Sequence, residues 1–225
     1  MYAKYIKRIL DFTLSLFALI VLSPLMLVLY ILVIIKLGKP AIFKQKRPGK
    51  DEKIFTLYKF RTMTDEKDED GNLLPDEIRL TKFGKFLRST SLDELPELIN
   101  ILKGDMAIVG PRPQLIRDMV FMTKEQRKRH SVRQGLTGLA QINGRNNITW
   151  EDKINYDLEY IEKISFKNDI KIVLKTIGKV FKRADVATDG MDTAEDLCDY
   201  LLRIQKINNE EYEKKRKEAE TLIKG

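Results

Sequence analysis

Residues 12–35 read FTLSLFALIVLSPLMLVLYILVII, a run without a single charge, interrupted near its middle by Ser23-Pro24. As one straight helix it would measure about 36 Å, enough for a bilayer core of about 30 Å. Its flanks argue against a simple crossing. Lys4, Lys7 and Arg8 precede it and a cluster from Lys36 to Arg61 follows it. The positive-inside preference therefore draws both ends to the same, cytoplasmic face. Pro24 has no N–H for the Ile20 carbonyl, and the Ser23 hydroxyl is placed to serve the carbonyl so freed. A broken, re-entrant helix satisfies both the charge and the proline; a kinked transmembrane helix satisfies only the proline. A signal peptide fits poorly, because the apolar run is too long and no small-residue cleavage site follows.

The same bookkeeping disposes of the overall charge. The chain has 225 residues and a net charge of +8, a balance that suggests nucleic acid. Residues 1–61 carry 12 Lys/Arg against 3 acids, and the other 164 residues carry 29 against 30. The excess thus brackets the apolar run, where it suits an anionic membrane surface, and no nucleic-acid partner is expected. One cysteine, Cys198, excludes an internal disulfide and reads as a small packing residue. The size suits one ordinary domain, and three segments are expected: a membrane helix with its basic flank over 1–36, a catalytic domain over 37–184, and a charged helical appendage over 185–225.

Within the middle segment, Pro48-Gly49 marks a turn before a strand-like IFTLYKF at 54–60. Residues 64–79 read as an acidic loop, so Asp68-Glu69-Asp70, although a D-x-D, is expected to be a solvated charge run. From Leu92 to Leu102 the apolar residues fall at helical spacing, with Asp93, Glu94, Glu97 and Asn100 on the opposite face. Ser91 with Glu94 fits a capping box and Gly104 a helix stop, while Pro96, tolerable only within the first turn, lets the start fall a residue or two later; either way Asp93 and Glu94 lie at the helix N-terminus. Met106–Gly110 predicts a short strand entering the Gly110-Pro111-Arg112-Pro113 turn. Residues 115–130 predict a basic helix, 134–147 a Gly-rich loop, and 150–166 and 168–183 two amphipathic helices. The helices at 115–130 and 168–183 are candidates to lie in a membrane surface. Asn147-Ile148-Thr149 is a sequon without meaning in a cytosolic segment. The fold class expected is α+β, predominantly α, with a small β element near the active site.

The chemistry narrows by elimination. There is no G-x-S-x-G, P-loop or G-x-G-x-x-G string, and the one histidine, His130, sits in a run of Arg and Lys where it reads as a phosphate neighbour or a surface residue. What remains is Asp93-Glu94, set among Lys82, Lys85, Arg88 and Lys103. Acids in a first helical turn can simply complement the helix dipole. They can also act on phosphate: a carboxylate can attack phosphorus, a second can hold Mg²⁺, and neighbouring cations can neutralise the charge being transferred.

The motifs Lys7-Arg8 with Asp11, Ser23-Pro24, Gln45-x-Arg47-x-Gly49, YKFRTM at 58–63, RSTSLDELP at 88–96, KGDM at 103–106, GPRP at 110–113 and GLTGLAQ at 135–141 together resemble the bacterial sugar transferase family of monotopic phosphoglycosyl transferases. The resemblance covers roughly residues 1–183. It implies transfer of a sugar 1-phosphate from a UDP-sugar to undecaprenyl phosphate, with release of UMP, at the cytoplasmic face of a bacterial inner membrane. It implies Asp93 as the nucleophile that forms a covalent aspartyl-phosphosugar and Glu94 as a Mg²⁺ ligand. The Pro111-Arg112-Pro113 turn is then a contact for the nucleotide or its phosphates, and Lys59, Arg88 and Arg145 are further candidates for phosphate neutralisation. Lys7, Arg8, Asp11, Ser23 and Pro24 become the anchor of the re-entrant helix. The short chain most resembles members that take an N-acetylated amino sugar. The alternative from the residues alone is a non-catalytic membrane-anchored scaffold that binds anionic lipid.

Overall fold

A computed structural model describes residues 1–144, 148–182 and 195–224. After a short π-helical turn at Tyr2–Ile6, helix α1 spans Lys7–Leu37. Strands β1 (Ile42–Pro48) and β2 (Ile54–Phe60) form an antiparallel hairpin in which Ile42 faces Phe60 and Pro48 faces Ile54. Helices α2 (Asp76–Arg79), α3 (Lys82–Ser89) and α4 (Glu97–Lys103) follow, with a 3-10 turn at Leu92–Glu94 between the last two. Strand β3 (Met106–Val109) pairs in parallel with β4 (Gln134–Thr137), across α5 (Ile116–Met119) and α6 (Lys124–Arg127). The chain ends in α7 (Leu139–Ile142), α8 (Trp150–Glu162), α9 (Phe166–Lys182), α10 (Leu197–Arg203) and α11 (Asn209–Lys224). The architecture is α+β and mostly helical, as the sequence predicts.

Helix α1 continues through Pro24 without the break expected at Ser23-Pro24. The Ser23 hydroxyl donates to the Ile20 carbonyl at 2.8 Å, which is the substitution the sequence proposes for the missing proline N–H. The helix presents two faces. Asp11, Ser15, Leu29, Val33 and Leu37 are buried, and Ala18, Leu19 and Leu22 are half-buried between them, at three- and four-residue spacing. This stripe lies against the domain along the whole helix. Its first half meets Leu57, Leu98, Ile101 and Met106, and its second half meets Phe60 and Leu87. Phe12, Phe17, Ile20, Val21, Leu27, Val28, Ile31 and Ile35 form the opposite, exposed surface.

The polar residues at the start of α1 are spent on the domain. Arg8 donates to the Ile101 and Leu102 carbonyls at the end of α4, at 2.6 and 2.9 Å. The Asp11 carboxylate accepts the Ile108 N–H of β3 at 3.0 Å, and Lys7 donates to Asp169 of α9 at 2.7 Å. Arg8 thus serves carbonyls at the C-terminal end of α4, where helix carbonyls lack intrahelical donors, and Lys7 joins the Tyr2 and Tyr160 hydroxyls on Asp169.

Several elements differ from expectation. Ile42–Pro48 is a strand rather than approach to a turn; its polar run of Lys44, Gln45, Lys46 and Arg47 lacks the apolar alternation that marks a strand, and pairing with β2 supplies the order. The helix expected over 115–130 is three short pieces, since Thr123 and Gln126 form a reciprocal capping box that starts a new helix inside it. The Gly-rich loop at 134–147 contains strand β4 and helix α7; glycine is required there, since a Cβ on Gly135 would lie 2.1 Å from the Gly110 nitrogen. The charged tail contributes Leu197, Cys198 and Ala219 to a buried cluster with Ile116, Met119 and Trp150. Cys198 is fully buried, in keeping with a packing role.

Candidate active site

The site is assembled by one asparagine. Strand β2 has a free edge, and Asn100 of α4, wholly buried, supplies it: its Oδ1 accepts the Tyr58 N–H at 3.1 Å and its Nδ2 donates to the Thr56 carbonyl at 2.7 Å. A single side chain thus stands in for a neighbouring strand. It sets the register of α4 against β2, so that the turn before Asn100 faces Lys59.

That turn does not have the expected form. Ser91 takes a left-handed conformation, with φ 55°, and makes no cap hydrogen bond; α4 begins only at Glu97, with Pro96 at its N-cap position. The proline excludes an N–H from the helix interior and moves the start beyond it. Asp93 and Glu94 therefore occupy the separate 3-10 turn, and both are buried. The side of this segment that looks like a solvated polar face is turned inward, toward β2 and the cleft.

Four cations line the cleft around these acids. Lys59 donates to Glu94 at 3.0 Å and lies 3.1 Å from Glu97. Arg112 donates to the same oxygen of Glu94 at 2.7 Å. Arg88, from α3, donates through Nε to the Thr62 hydroxyl at 3.0 Å, and Arg47 bonds Gln45 and the Pro113 carbonyl. All of these line one cleft of about 740 Å³ together with Asp93, Glu94, Glu97 and Pro113. Arg112 is set by its surroundings: the Pro111 carbonyl accepts from Gly135 N–H at 2.8 Å, and the Arg112 carbonyl accepts from Arg129 at 2.6 Å. Arg129 is itself buried and paired with Asp157.

The electrostatics follow from burial. Desolvation raises the Asp93 carboxyl above the ordinary range and the neighbouring Glu94 charge adds to it, while Lys59, Arg112 and Arg88 oppose the rise. Burial pushes Glu97 up to about 7 despite Lys59. Burial works to lower Lys59, and the Glu94 and Glu97 charges outweigh it, holding the ammonium protonated. Glu94 is the principal cause of the raised Arg112 pKa. Burial beside Arg112 brings Arg47 down to about 10. The cleft is a desolvated array of acids and cations, the kind of environment in which charge is used rather than dispersed.

Of the residues expected from sequence, Lys59, Arg88, Asp93, Glu94, Arg112 and Pro113 are brought together, and Pro111 is buried beneath the turn. Arg145 lies outside the described residues, as does Asn147 of the sequon. His130 is neither at the surface nor in the cleft. It is buried, and burial beside Arg129 drives its pKa down to about 3, so it stays neutral. Asp68, Glu69 and Asp70 are exposed on a loop, where the Asp68 carboxylate accepts the Asn72 N–H at 2.8 Å. Glu97 and the Arg129–Asp157 pair are not among the site residues the sequence suggests, and Arg47 enters there only through the Gln45-x-Arg47-x-Gly49 motif. For Glu97 the available signal is that it lies three residues beyond Glu94, on the same side of the chain as Asn100.

The carboxylate oxygens of Asp93, Glu94 and Glu97 are the hard donors that Mg²⁺ accepts, one or two of them normally being completed by substrate phosphates. The donor chemistry of these carboxylates is of the kind that ion takes, although one oxygen of Glu94 is engaged by both Lys59 and Arg112.

The model of the family described as bacterial sugar transferase matches residues 2–183. The uncharacterised sugar transferase EpsL of Bacillus subtilis is 50% identical over 190 residues, covering 84% of this chain and 94% of its own. The UDP-glucose:undecaprenyl-phosphate glucose-1-phosphate transferase of Klebsiella pneumoniae is 42% identical over 185 residues, and the galactosyl transferase CpsE of Streptococcus agalactiae 40% over 185 residues. These two are matched over 40% and 41% of their own length, so the chain spans less than half of them.

Proposed function

The chain belongs to the bacterial sugar transferase family, and on that premise we propose that it transfers a sugar 1-phosphate from a UDP-sugar to undecaprenyl phosphate. The observation that carries the reading is the desolvated Asp93 carboxylate in a cleft it shares with Lys59, Arg88 and Arg112. Names of relatives supply the substrate classes: a UDP-sugar and a polyprenyl phosphate.

The Asp93 carboxylate attacks the β-phosphorus of the donor. A bond forms from its oxygen to phosphorus, the bridge to the α-phosphate breaks, and UMP leaves with that bridging oxygen. An oxygen of the lipid phosphate then attacks the same phosphorus and releases Asp93. Lys59, Arg88 and Arg112 neutralise charge on the phosphoryl oxygens, and the low local dielectric strengthens each contact. Mg²⁺, held by Glu94 and the donor's phosphates, would supply further charge neutralisation. Arg112 and Lys59 both engage Glu94, so all three are positioned before substrate arrives.

We place the enzyme on the cytoplasmic face of the inner membrane as a monotopic protein. Both ends of α1 contact the same domain, Arg8 at one end and Leu37 at the other. A straight crossing would separate those ends by a bilayer. Helix α9 adds an exposed stripe of Phe166, Ile170, Leu174 and Ile177 beside Lys167, Lys171 and Lys175, the pattern of a helix lying in a membrane surface. An N-acetylated amino sugar is our proposal for the sugar, on the resemblance stated above; a panel that also contains UDP-glucose and UDP-galactose decides it.

The test is incubation with each UDP-sugar and Mg²⁺ without lipid. A protein adduct with the mass of one phosphosugar, accompanied by UMP and absent from Asp93→Asn, is the expected result. UMP release at the normal rate by Asp93→Asn would overturn the nucleophile. No UMP from any sugar, with or without undecaprenyl phosphate, would return the chain to the scaffold reading.

A further inference from the structure

Lys59 and Arg112 direct their charge at Glu94 and Glu97, but Arg47, which lines the same cleft, forms no ion pair among the described residues. Its guanidinium is held by neutral acceptors: Nη2 donates to the Gln45 side-chain oxygen at 2.6 Å and Nη1 to the Pro113 carbonyl at 3.2 Å. A guanidinium carries five N–H groups. Two are used here, Nε is enclosed without a partner, and two remain on the Nη atoms. Burial and the nearby Arg112 charge bring its pKa down to about 10, while Asp118 and Glu97 favour its charge without pairing with it. At neutral pH it is still a cation. A desolvated charge without a counterion is unfavourable, and an anion entering the cleft relieves it.

The position of Arg47 selects the anion. Phe43, Gln45 and Arg47 alternate along β1 and all three line the cleft, as side chains on one face of a strand do. Phe43 is opposite Lys59 in the hairpin register, so Arg47 stands two cleft-facing positions beyond the level of the residue that meets Glu94. The Pro111-Arg112-Pro113 turn joins the two places: Arg112 reaches Glu94, and the carbonyl of Pro113 takes Arg47. A nucleotide-sugar donor carries two adjacent phosphates, and Asp93 with Lys59, Arg88 and Arg112 accounts for the one attacked. When the bridge breaks, the bridging oxygen keeps the electron pair, so negative charge builds on the phosphate that departs. That second phosphate needs a cation of its own.

Resting on the transferase reading, we propose that Arg47 binds the α-phosphate of the UDP-sugar, the phosphate that leaves as UMP, and is a catalytic residue beside the three cations around the attacked phosphorus. The bond from Asp93 to the β-phosphorus forms as the bond from that phosphorus to the bridging oxygen breaks, and the remaining Nη hydrogens of Arg47 meet the charge on UMP. The full-length protein is tested as Arg47→Gln, Arg47→Lys, Arg112→Gln and the double variant Arg47→Gln with Arg112→Gln. UMP and uridine binding are measured by calorimetry, donor and acceptor kinetics by transfer to undecaprenyl phosphate, and the unfolding midpoint serves as a control.

Arg47→Gln should weaken UMP binding and lower kcat/KM for the donor by about ten- to a hundredfold, the scale of a hydrogen bond between charged groups. Uridine binding and the KM for undecaprenyl phosphate should change little. Arg47→Lys should recover part of the UMP affinity, since it keeps the charge without the fork. If Arg47 did no more than hold the Pro113 carbonyl, and through it Arg112, Arg47→Gln would change nothing in the Arg112→Gln background. That result overturns the assignment, as do unchanged UMP affinity at a native unfolding midpoint, an equal loss for uridine, and wild-type protein that binds UMP no better than uridine. Should Arg47→Gln unfold, Arg47→Lys decides by the same two ligands: weakened UMP with unchanged uridine supports the contact, and unchanged UMP refutes it. In each of these failures wild-type turnover leaves the transferase reading standing. Wild-type protein that releases no UMP fails that reading itself and overturns the contact with it.

Discussion

The ammonium of Lys59, on strand β2, lies 3.1 Å from the carboxylate of Glu97, at the first turn of α4. Glu97 is nearly buried, and burial has pushed its pKa up from 4.5 to about 7. The protonated form is therefore favoured by folding. The stability this contributes is complete below pH 4.5 and is lost as pH rises through about 7. Glu97→Gln, which stays neutral, should lose less stability than the wild type between pH 4.5 and 7.5. The difference should be on the order of 1–3 kcal/mol, read from denaturant unfolding in detergent at several pH values. Parallel pH profiles for the two proteins would refute it.

Removing the cation should be more damaging than removing that acid. Lys59→Met takes one cation from Glu94 and the neighbouring ammonium from Glu97. A loss of about 3 kcal/mol is the usual scale for breaking a buried pair, and UMP release should fall at least about a hundredfold through lost charge neutralisation. Lys59→Arg should recover much of the stability and less of the rate, since a planar guanidinium does not reproduce the geometry of an ammonium.

Ser91 holds φ at 55° without a cap hydrogen bond. Ser91→Gly should therefore be neutral or stabilising by about 0.5–1 kcal/mol, because the left-handed conformation costs glycine nothing. Ser91→Val should destabilise by about 1–2 kcal/mol, since a β-branched residue fits that region badly. Thermal unfolding of the pair checks the order, and a valine variant as stable as the glycine one would contradict the conformation.

Asp11 is one attachment, beside Lys7 and Arg8, between helix α1 and the rest of the chain, accepting the Ile108 N–H at 3.0 Å. Asp11→Ala leaves that donor unserved and should cost about 1–3 kcal/mol. The neighbouring β3 carries the chain into the Pro111-Arg112-Pro113 turn, so activity should fall with it. Hydrogen exchange at Ile108 should rise in the variant; unaltered protection there would show that the bond does no such work.

Topology can be read directly. Cysteines placed at Lys4 and at Lys39, in a Cys198→Ser background, should both react with a membrane-impermeant thiol reagent only from the cytoplasmic side. Labelling of the Lys4→Cys protein from the opposite side would establish a crossing. Replacing Ser23 and Pro24 by alanine removes the proline and the hydroxyl that serves Ile20, and should move the protein toward that crossing form.

Much of the anchor was legible in the residues. A charge-free run, basic flanks and an interior Ser-Pro are local features, and the hydroxyl of Ser23 does what its position suggests. Strand β2 and the helices at 150–162 and 166–182 follow from periodicity, which is also local. Strand β4 and the buried tail did not follow, because each is stabilised by a partner distant in the chain: β4 by β3 across α5 and α6, and Leu197 by Asp118; strand β1 did not follow because its polar run of Lys44, Gln45, Lys46 and Arg47 lacks apolar alternation. The helix start at Glu97 was misread for a related reason. Ser91 and Glu94 have the letters of a capping box, but the proline at 96 and the demands of the cleft overrule them.

By itself the sequence determined what the protein contains: a membrane-seeking helix, a basic flank, an adjacent carboxylate pair and a Pro-Arg-Pro turn. These are statements about side-chain chemistry and short-range spacing, and both survive without a partner. Only the tertiary structure decided which residues share a cleft. Asn100 joins α4 to the edge of β2, and with that one register Lys59 and Arg112 meet Glu94, Glu97 loses its water, and Asp93 is buried beside them. Burial and long-range pairing are set by packing among segments far apart in the chain, so no reading of one segment could supply them.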